Sequence, residues 1–342
     1  MMGKARGFTR MVASALTVLA AISLAACEGQ VPKPDMTNDE ASTGQVKEQP
    51  DLTEAQEKRI RTGILETLDK ANEAKDPSGL AGRVTGPALD VRTSELNIAK
   101  ATDKLDPKTT IPKEMTQVVI PTDASWPRSV FTITTTTEDQ QSKRLLVMTQ
   151  ESAHSNYQLW AVTRLFQGAK LPKFAVPRIG SQMGKPQDKG LVATPQEAVD
   201  RYADLLQSGD ASKYADSFAS DFFRQDLNKL SQTVQEGMER NKGTQTQTFT
   251  PVKDRIAVMR SSDGGDLVVA QINSEWTRQA GEGRDSKPAS DAEKALFGDG
   301  QVTSTMKVTY VNVLAFYVPP AGSGQQIAAV GAERQPIKVE AL

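Results

Sequence analysis

The fold is decided by residues 302–318, which read VTSTMKVTYVNVLAFYV. As far as Tyr310, the even positions are mostly apolar and the odd positions are Thr or Lys. This alternation predicts a β-strand with one buried face and one solvated face. At about 3.3 Å per residue such a strand exceeds roughly 50 Å, so we expect it to bend or to carry a bulge.

The strand-like segments, with 302–318 among them, form two groups, and each group follows two helical segments. The first group covers 115–120, 129–137, 144–150 and 157–166; the second covers 244–249, 255–260, 266–276, 302–318 and 326–333. A capping box at Thr53-Glu54-Ala55-Gln56 begins the first helical pair, and Pro195 begins the second. The order helix–helix–sheet thus recurs after about 140 residues. It predicts an α+β fold of two tandem cone-like domains, each with helices packed on a curved antiparallel sheet.

The composition of the connecting segments predicts the domain boundaries. Residues 1–26 are predicted to be a signal peptide and 27–51 a disordered tether, because the tether contains several prolines and acids and few large apolar residues. The first domain is predicted at 52–167 and the second at 195–342. Residues 168–194 between them carry three prolines and four glycines, which indicates a linker.

The N-terminus has the pattern of an export signal. Basic residues precede an apolar run at 11–22, which is too short to span a bilayer. The run leads into Leu24-Ala25-Ala26-Cys27, which resembles the lipobox of bacterial lipoproteins. That resemblance implies cleavage before Cys27 and transfer of a diacylglyceryl group, with palmitate-type acyl chains, to its thiol. The alternative is an ordinary signal peptide cut after Ala26, but Cys27 is the only cysteine in 342 residues, which favours lipidation.

A lipidated Cys27 would place the protein on the outer face of the cell membrane. Two acyl chains anchor durably, whereas a single chain binds only marginally. After cleavage no cysteine remains to form a disulfide, so packing has to stabilise the fold. The formal net charge of −1, without a basic block, argues against nucleic acid as a partner.

A curved sheet with helices across its concave side resembles the nuclear transport factor two-like and cystatin-like folds, here in tandem. Together with the lipobox and the segment around Trp160 and Leu171-Pro172, the chain resembles a family of uncharacterised actinobacterial envelope lipoproteins. The resemblance covers nearly all of residues 53–342 and implies no catalytic residue.

Candidate catalytic groups are few. His154 is the only histidine and no cysteine remains for zinc, so we expect an exposed loop residue and no metal site or hydrolase triad. The pairs Asp216/Asp221 and Asp263/Asp266 could serve acid–base chemistry or bind Ca²⁺. The first pair lies near helix ends and the second flanks a turn, so we interpret them instead as helix caps and turn residues.

Ser304 and Asn312 are expected on the apolar face of the longest strand. A polar group there must be hydrogen-bonded, either to backbone at a bulge or to a ligand in the cone. These two residues are therefore candidate pocket residues.

The polar loop 279–300 interrupts two strands. Inside it, Ser290-Asp291-Ala292-Glu293 has the form of a capping box and leads to Leu296 and Phe297. Long loops in compact domains are often functional, so Leu296 and Phe297 are candidates for docking, with ordinary loop packing as the alternative.

Together these features predict a non-enzymatic, membrane-anchored scaffold or protein-interaction module of the cell envelope, without cofactor or metal, that binds another envelope protein. The alternative is a carrier that holds a lipid or other apolar molecule in one cone. An enzyme that uses a carboxylate in the second-domain cavity is a third possibility.

Overall fold

The computed structural model describes residues 49–123, 125–136 and 142–342, which belong to one compact unit. Cys27 and most of the predicted tether lie outside the described residues. Five α-helices occur in the described part of the chain: α1 (Glu54–Ala74), α2 (Gly86–Thr102), α3 (Pro195–Ser208), α4 (Phe222–Arg240) and α5 (Asp291–Phe297). Capping boxes begin α1 at Thr53 and α3 at Thr194, because each Thr hydroxyl and the Gln or Glu three residues later satisfy each other's backbone amides.

The strands form one antiparallel sheet that curls into a half-barrel. Eight strands are described: β1 (Met115–Val119), β2 (Arg128–Thr134), β3 (Arg144–Gln150), β4 (Gln158–Leu165), β5 (Thr244–Arg260), β6 (Asp266–Gln279), β7 (Thr305–Val318) and β8 (Ala328–Ala341). Their order is β1-β2-β3-β4-β8-β7-β6-β5. The α+β class is therefore confirmed, and both predicted groups of strands share a single sheet.

The two groups of strands meet at a short junction. β4 pairs with β8 only at Arg164↔Ala332 and Leu165↔Gly331. A Cβ on Gly331 would lie 2.7 Å from the carbonyl oxygen of Arg164, so glycine permits this close approach. Beyond the junction α2 and α5 pack along β8. Because β8 pairs there only with β7, it tolerates Pro336. The strand therefore extends past residue 333, which was its predicted end.

One hydrophobic core joins the two halves of the sheet. The odd-numbered β7 residues Val311, Val313 and Ala315 pack in it with side chains of β2 and β3 such as Phe131 and Val147. This explains why the alternation in β7 stops at Tyr310: beyond it both faces of β7 are buried. As expected for its length, β7 shows register irregularities against β8.

The other face of the sheet is covered by helices. Side chains of α1 and α2 pack on β2, β3 and β4, whereas α3 and α4 pack on β6 and β7. Each half therefore repeats a helix pair on four strands, which agrees with the predicted helix–helix–sheet order but not with the five strands predicted for the second half. Two tandem cone-like domains are not confirmed, and the boundaries at 52–167 and 195–342 stay a prediction.

Residues 168–194 contact both edges of the sheet. Ser181 pairs with Pro121, directly after β1, and Met183 pairs with Met259 in β5. Because β1 and β5 are the two edge strands, one short segment spans the open side of the half-barrel.

The predicted strands 244–249 and 255–260 are parts of one strand, β5. The pairing of β5 with β6 is irregular between Pro251 and Ile256, and Asp254 has a φ of 60°. Proline and a left-handed residue interrupt the sequence pattern, but an edge strand accommodates both. Within residues 49–342, outside the gaps at 124 and 137–141, none of the helices combines the length and apolar character needed to cross a bilayer.

Candidate functional site

An open cleft lies where the start of α4, the start of β8 and the residues after β4 meet. Its volume is about 310 Å³, and its lining combines polar residues, among them Gln167, Lys170 and Gln225, with the apolar residues Phe166, Ala169, Phe222, Ala328, Ala329 and Val330. Phe222 is 52% exposed, and its ring meets that of Phe166 edge-on at a centroid distance of 5.9 Å. We call this feature the Phe222 cleft. A half-exposed aromatic ring in a concave, partly apolar surface is typical of a contact site rather than of a core.

The first turn of α4 holds Phe222 in place. Asp221 caps the helix: its carboxylate accepts hydrogen bonds from the backbone N–H of Arg224 at 2.9 Å and from the hydroxyl of Tyr202 at 3.0 Å. The Arg224 guanidinium lies 2.7 Å from the same carboxylate. Phe223 points into the core of the second half, so its neighbour Phe222 faces outward. The exposed ring is therefore carried by a fixed element.

The other wall of the Phe222 cleft is set by backbone bonds. The amide of Phe166 donates to the carbonyl of Val330 at 2.9 Å, and the amide of Ala219 donates to the carbonyl of Ile327 at 2.9 Å. Residues 166–169 also line a second, wider cleft of about 980 Å³ that runs toward β1 and β2 and has a mixed polar and apolar lining. The segment after β4 thus separates two adjoining depressions.

A buried charged cluster lies between α2, β4 and β8. Arg92, Glu95 and Glu333 line a cavity of about 30 Å³, in which Arg92 is 3.3 Å from Glu95. Glu333 also pairs with the partly buried Arg164 at 2.8 Å. Burial raises the pKa of Glu95 to about 7, against the opposing effect of Arg92, and the nearby Glu333 raises it further. A cavity of this volume has room for about a water molecule or two. It does not accommodate an organic substrate.

Asn312 is fully buried and hydrogen-bonded. Its amide donates to the carbonyl of Ile272 at 2.8 Å and to the hydroxyl of Ser274 at 3.0 Å. Ser304 precedes β7 and is exposed, and its carbonyl accepts from the amide of Ala280 at 2.7 Å. The expectation that both residues share the buried face is wrong, because β7 begins one residue after Ser304. Their role as pocket residues stays a prediction.

Leu296 and Phe297 lie at the end of α5 and pack against a small core that contains Trp276 and Tyr310. The predicted capping box is only half formed. The Ser290 hydroxyl accepts from the amide of Glu293 at 3.1 Å, but the Glu293 carboxylate binds the amide of Ala289 and forms an ion pair with Arg278. This helix closes one end of the sheet, and its docking role stays a prediction.

The remaining candidates occupy loops and caps. His154 is exposed between β3 and β4, and Asp216 is also exposed, away from the capping Asp221. Asp263 accepts from the hydroxyl of Tyr317 at 2.9 Å within the β5–β6 turn. Among the described residues no three His, Cys, Asp or Glu side chains are grouped so that they could hold a metal ion. The expectation of no metal or cofactor stays a prediction.

Asp266 is fully buried, and neither of its carboxylate oxygens has a hydrogen-bond partner. Arg260 approaches it to 3.6 Å. Burial raises its pKa to about 6.

The sequence pattern did not identify Phe222 or Glu95. Phe222 stands beside Phe223 in a helix where both read as core positions, and periodicity cannot show which of two adjacent rings is left outside. Glu95 lies on a helix that becomes buried on several sides only when β4 and β8 meet.

A family described as a domain of unknown function (DUF8094) matches residues 48–337. The chain belongs to the DUF8094 family. The match runs through both halves of the sheet. An uncharacterised lipoprotein from Streptomyces avermitilis is 28% identical over 274 residues, which cover 78% of this chain and 79% of that protein. No solved structure matches the chain.

The predicted resemblance to an uncharacterised lipoprotein is confirmed at that level. The relative suggests that this DUF8094 protein is itself a membrane-anchored envelope lipoprotein. The nuclear transport factor two-like and cystatin-like resemblance is not confirmed.

Proposed function

We propose that this DUF8094 protein is a lipid-anchored scaffold on the outer face of the cell membrane that binds another envelope protein and carries out no catalysis. The observation that supports this most is the Phe222 cleft. Its partner would insert an apolar side chain against Phe222, and Lys170 at the edge of the cleft favours an acidic residue beside that side chain.

We propose no reaction at Glu95 because of where its carboxylate lies. Glu95 has the raised pKa that an acid–base residue needs, but it is enclosed with Arg92 around a very small cavity. An enzyme in the second half would need such a carboxylate beside Asn312, but Glu95 is not among the hydrogen-bond partners of Asn312. The residues around it act as a buried ion-pair network.

The carrier alternative has less support. The interface between helices and sheet in each half is filled by its own side chains, including Leu68 and Leu96 in the first half and Tyr202 and Phe316 in the second. A lipid inside either cone would have to displace these side chains. Native mass spectrometry of protein from its own host tests this, and a stoichiometric bound lipid would favour the carrier.

The scaffold proposal is tested by placing a photo-crosslinking amino acid at position 222 in host cells. We expect one discrete adduct with an envelope protein, whose purified form should bind the isolated scaffold. Phe222→Ser should weaken that binding by about tenfold or more, since a buried aromatic anchor commonly contributes 2 kcal/mol or more.

Leu230→Ser is the matched control, because Leu230 is 43% exposed on the same helix but does not line the Phe222 cleft. Both variants should keep the wild-type thermal transition, as both side chains are exposed. Equal loss of binding in the two variants, or no adduct at position 222, would refute the cleft as the contact site.

A further inference from the structure

Three large apolar side chains are exposed on the surface around residues 50 and 51, close in space to where the described chain begins. Trp126 is 39% exposed, and Val176 and Ile179 are each 48% exposed. Lys173 and Arg178 are exposed among them in sequence. We call these five residues the N-terminal rim.

Contacts hold Trp126 beside residue 51. The amide of Asp51 donates to the carbonyl of Pro121 at 2.8 Å, and its carboxylate lies 3.3 Å from Nε of Arg128. The Arg128 guanidinium stacks over the Trp126 ring, 4.0 Å from its centroid. Trp126 is thereby fixed next to the point where the described chain begins.

The turn that carries Val176 and Ile179 lies next to the same point. The amides of Ile179 and Gly180 both donate to the carbonyl of Val176, at 2.9 and 3.0 Å. A Cβ on Gly180 would be 3.3 Å from Cγ of Pro50. Residues 50 and 51 therefore contact the turn on one side and, through Arg128, Trp126 on the other.

We propose that the N-terminal rim lies against the headgroup region of the membrane to which Cys27 is anchored. Cys27 precedes Pro50 by 23 positions, so the chain between them spans about 80 Å at most. Tryptophan, aliphatic side chains and basic residues together match the chemistry of an anionic bilayer interface. The inference rests on the proposed lipid anchor and does not depend on the Phe222 cleft.

The test uses lipidated full-length mature protein, reconstituted in vesicles of phosphatidylcholine with phosphatidylglycerol. The other two tryptophans, Trp160 and Trp276, are 8% and 3% exposed, so quenching by brominated lipid reports on Trp126. We expect brominated lipid to quench Trp126 and iodide in the aqueous phase to lose access to it.

The double variant Val176→Ser/Ile179→Ser should lower the ratio of rim-bound to rim-free molecules by about tenfold or more, because two buried aliphatic side chains are lost. Leu230→Ser is the control and should leave quenching unchanged. Replacing phosphatidylglycerol by phosphatidylcholine should reduce lipid quenching, since Lys173 and Arg178 then lose their anionic partners.

Flotation of the vesicles separates the two ways in which the proposal can fail. Protein that does not float refutes the anchor and with it the rim. Protein that floats while Trp126 stays accessible to iodide refutes membrane contact by the N-terminal rim but not the lipid anchor. In that case the rim would contact a partner protein instead. Equal quenching in the double variant and the wild type also overturns the proposal.

Discussion

Replacing Glu95 by Gln should make the protein more stable at neutral pH than the wild type, by an amount that grows with pH. Glu95 is buried between α2 and β8, and burial raises the pKa of its carboxyl from 4.5 to about 7. Between these two values the folded protein binds a proton that the unfolded chain has released. Its free energy of unfolding therefore falls as pH rises through this range.

The size of the effect follows from the shift. A pKa that rises from 4.5 to about 7 corresponds, at about 1.36 kcal/mol for each pH unit, to roughly 3 kcal/mol of unfolding free energy that the wild type loses between about pH 4.5 and pH 7. Glutamine cannot ionise, so Glu95→Gln avoids this loss. Arg92 would still donate to the carbonyl of Thr109 at 2.9 Å, which limits the cost of losing its ion-pair partner.

The assay is urea unfolding of wild type and variant at several pH values from 4.5 to 8, with the difference in free energy compared at each pH. Asp51 and Asp266 also have a raised pKa of about 6, but they are present in both proteins and cancel in the difference. Glu73→Gln, which removes an exposed carboxylate from α1, is the matched control. A difference for Glu95→Gln that stays flat across this pH range would refute the argument that burial dominates at this site.

Two further predictions concern the core. Phe131→Ala should lower the free energy of unfolding by about 3–5 kcal/mol. Because Phe131 packs in the core that joins both halves, the variant should show the same shift in urea midpoint whether Trp160 or Trp276 is kept as the single tryptophan. A shift reported by Trp160 alone would indicate two independent domains. Asn312→Ala should cost about 1–3 kcal/mol, because the buried carbonyl of Ile272 and hydroxyl of Ser274 lose their donor, and an unchanged thermal transition would contradict this.

Local signals in the sequence predicted most elements because they depend on neighbours along the chain. The capping box at Thr53, the helix start at Pro195 and the alternation up to Tyr310 all act within a few residues. Errors occur where an edge decides the outcome. Pro251 and Pro336 read as strand breakers, yet both are accepted because the strands that carry them lack a second partner at those positions.

The candidate site was less accessible to sequence reasoning. Leu296 and Phe297 read as exposed loop residues, but they cover Trp276 and Tyr310. Phe222 reads as core and is exposed. The exposure of a side chain depends on which segments, distant in sequence, pack against it. The spacing of apolar residues along one helix carries no information about those segments.

The sequence by itself determined the α+β class, the repeated helix–helix–sheet order and the resemblance of the segment around the single cysteine to a lipobox, because each depends on local spacing or composition. Tertiary structure alone decided that the two halves share one sheet and one core, through the two residue pairs at which β4 meets β8. It also decided that Glu95 is buried and that the Phe222 cleft is open. These properties arise where segments far apart in the chain come together. The burial that stabilises or exposes each group depends on several segments at once and on none of them alone.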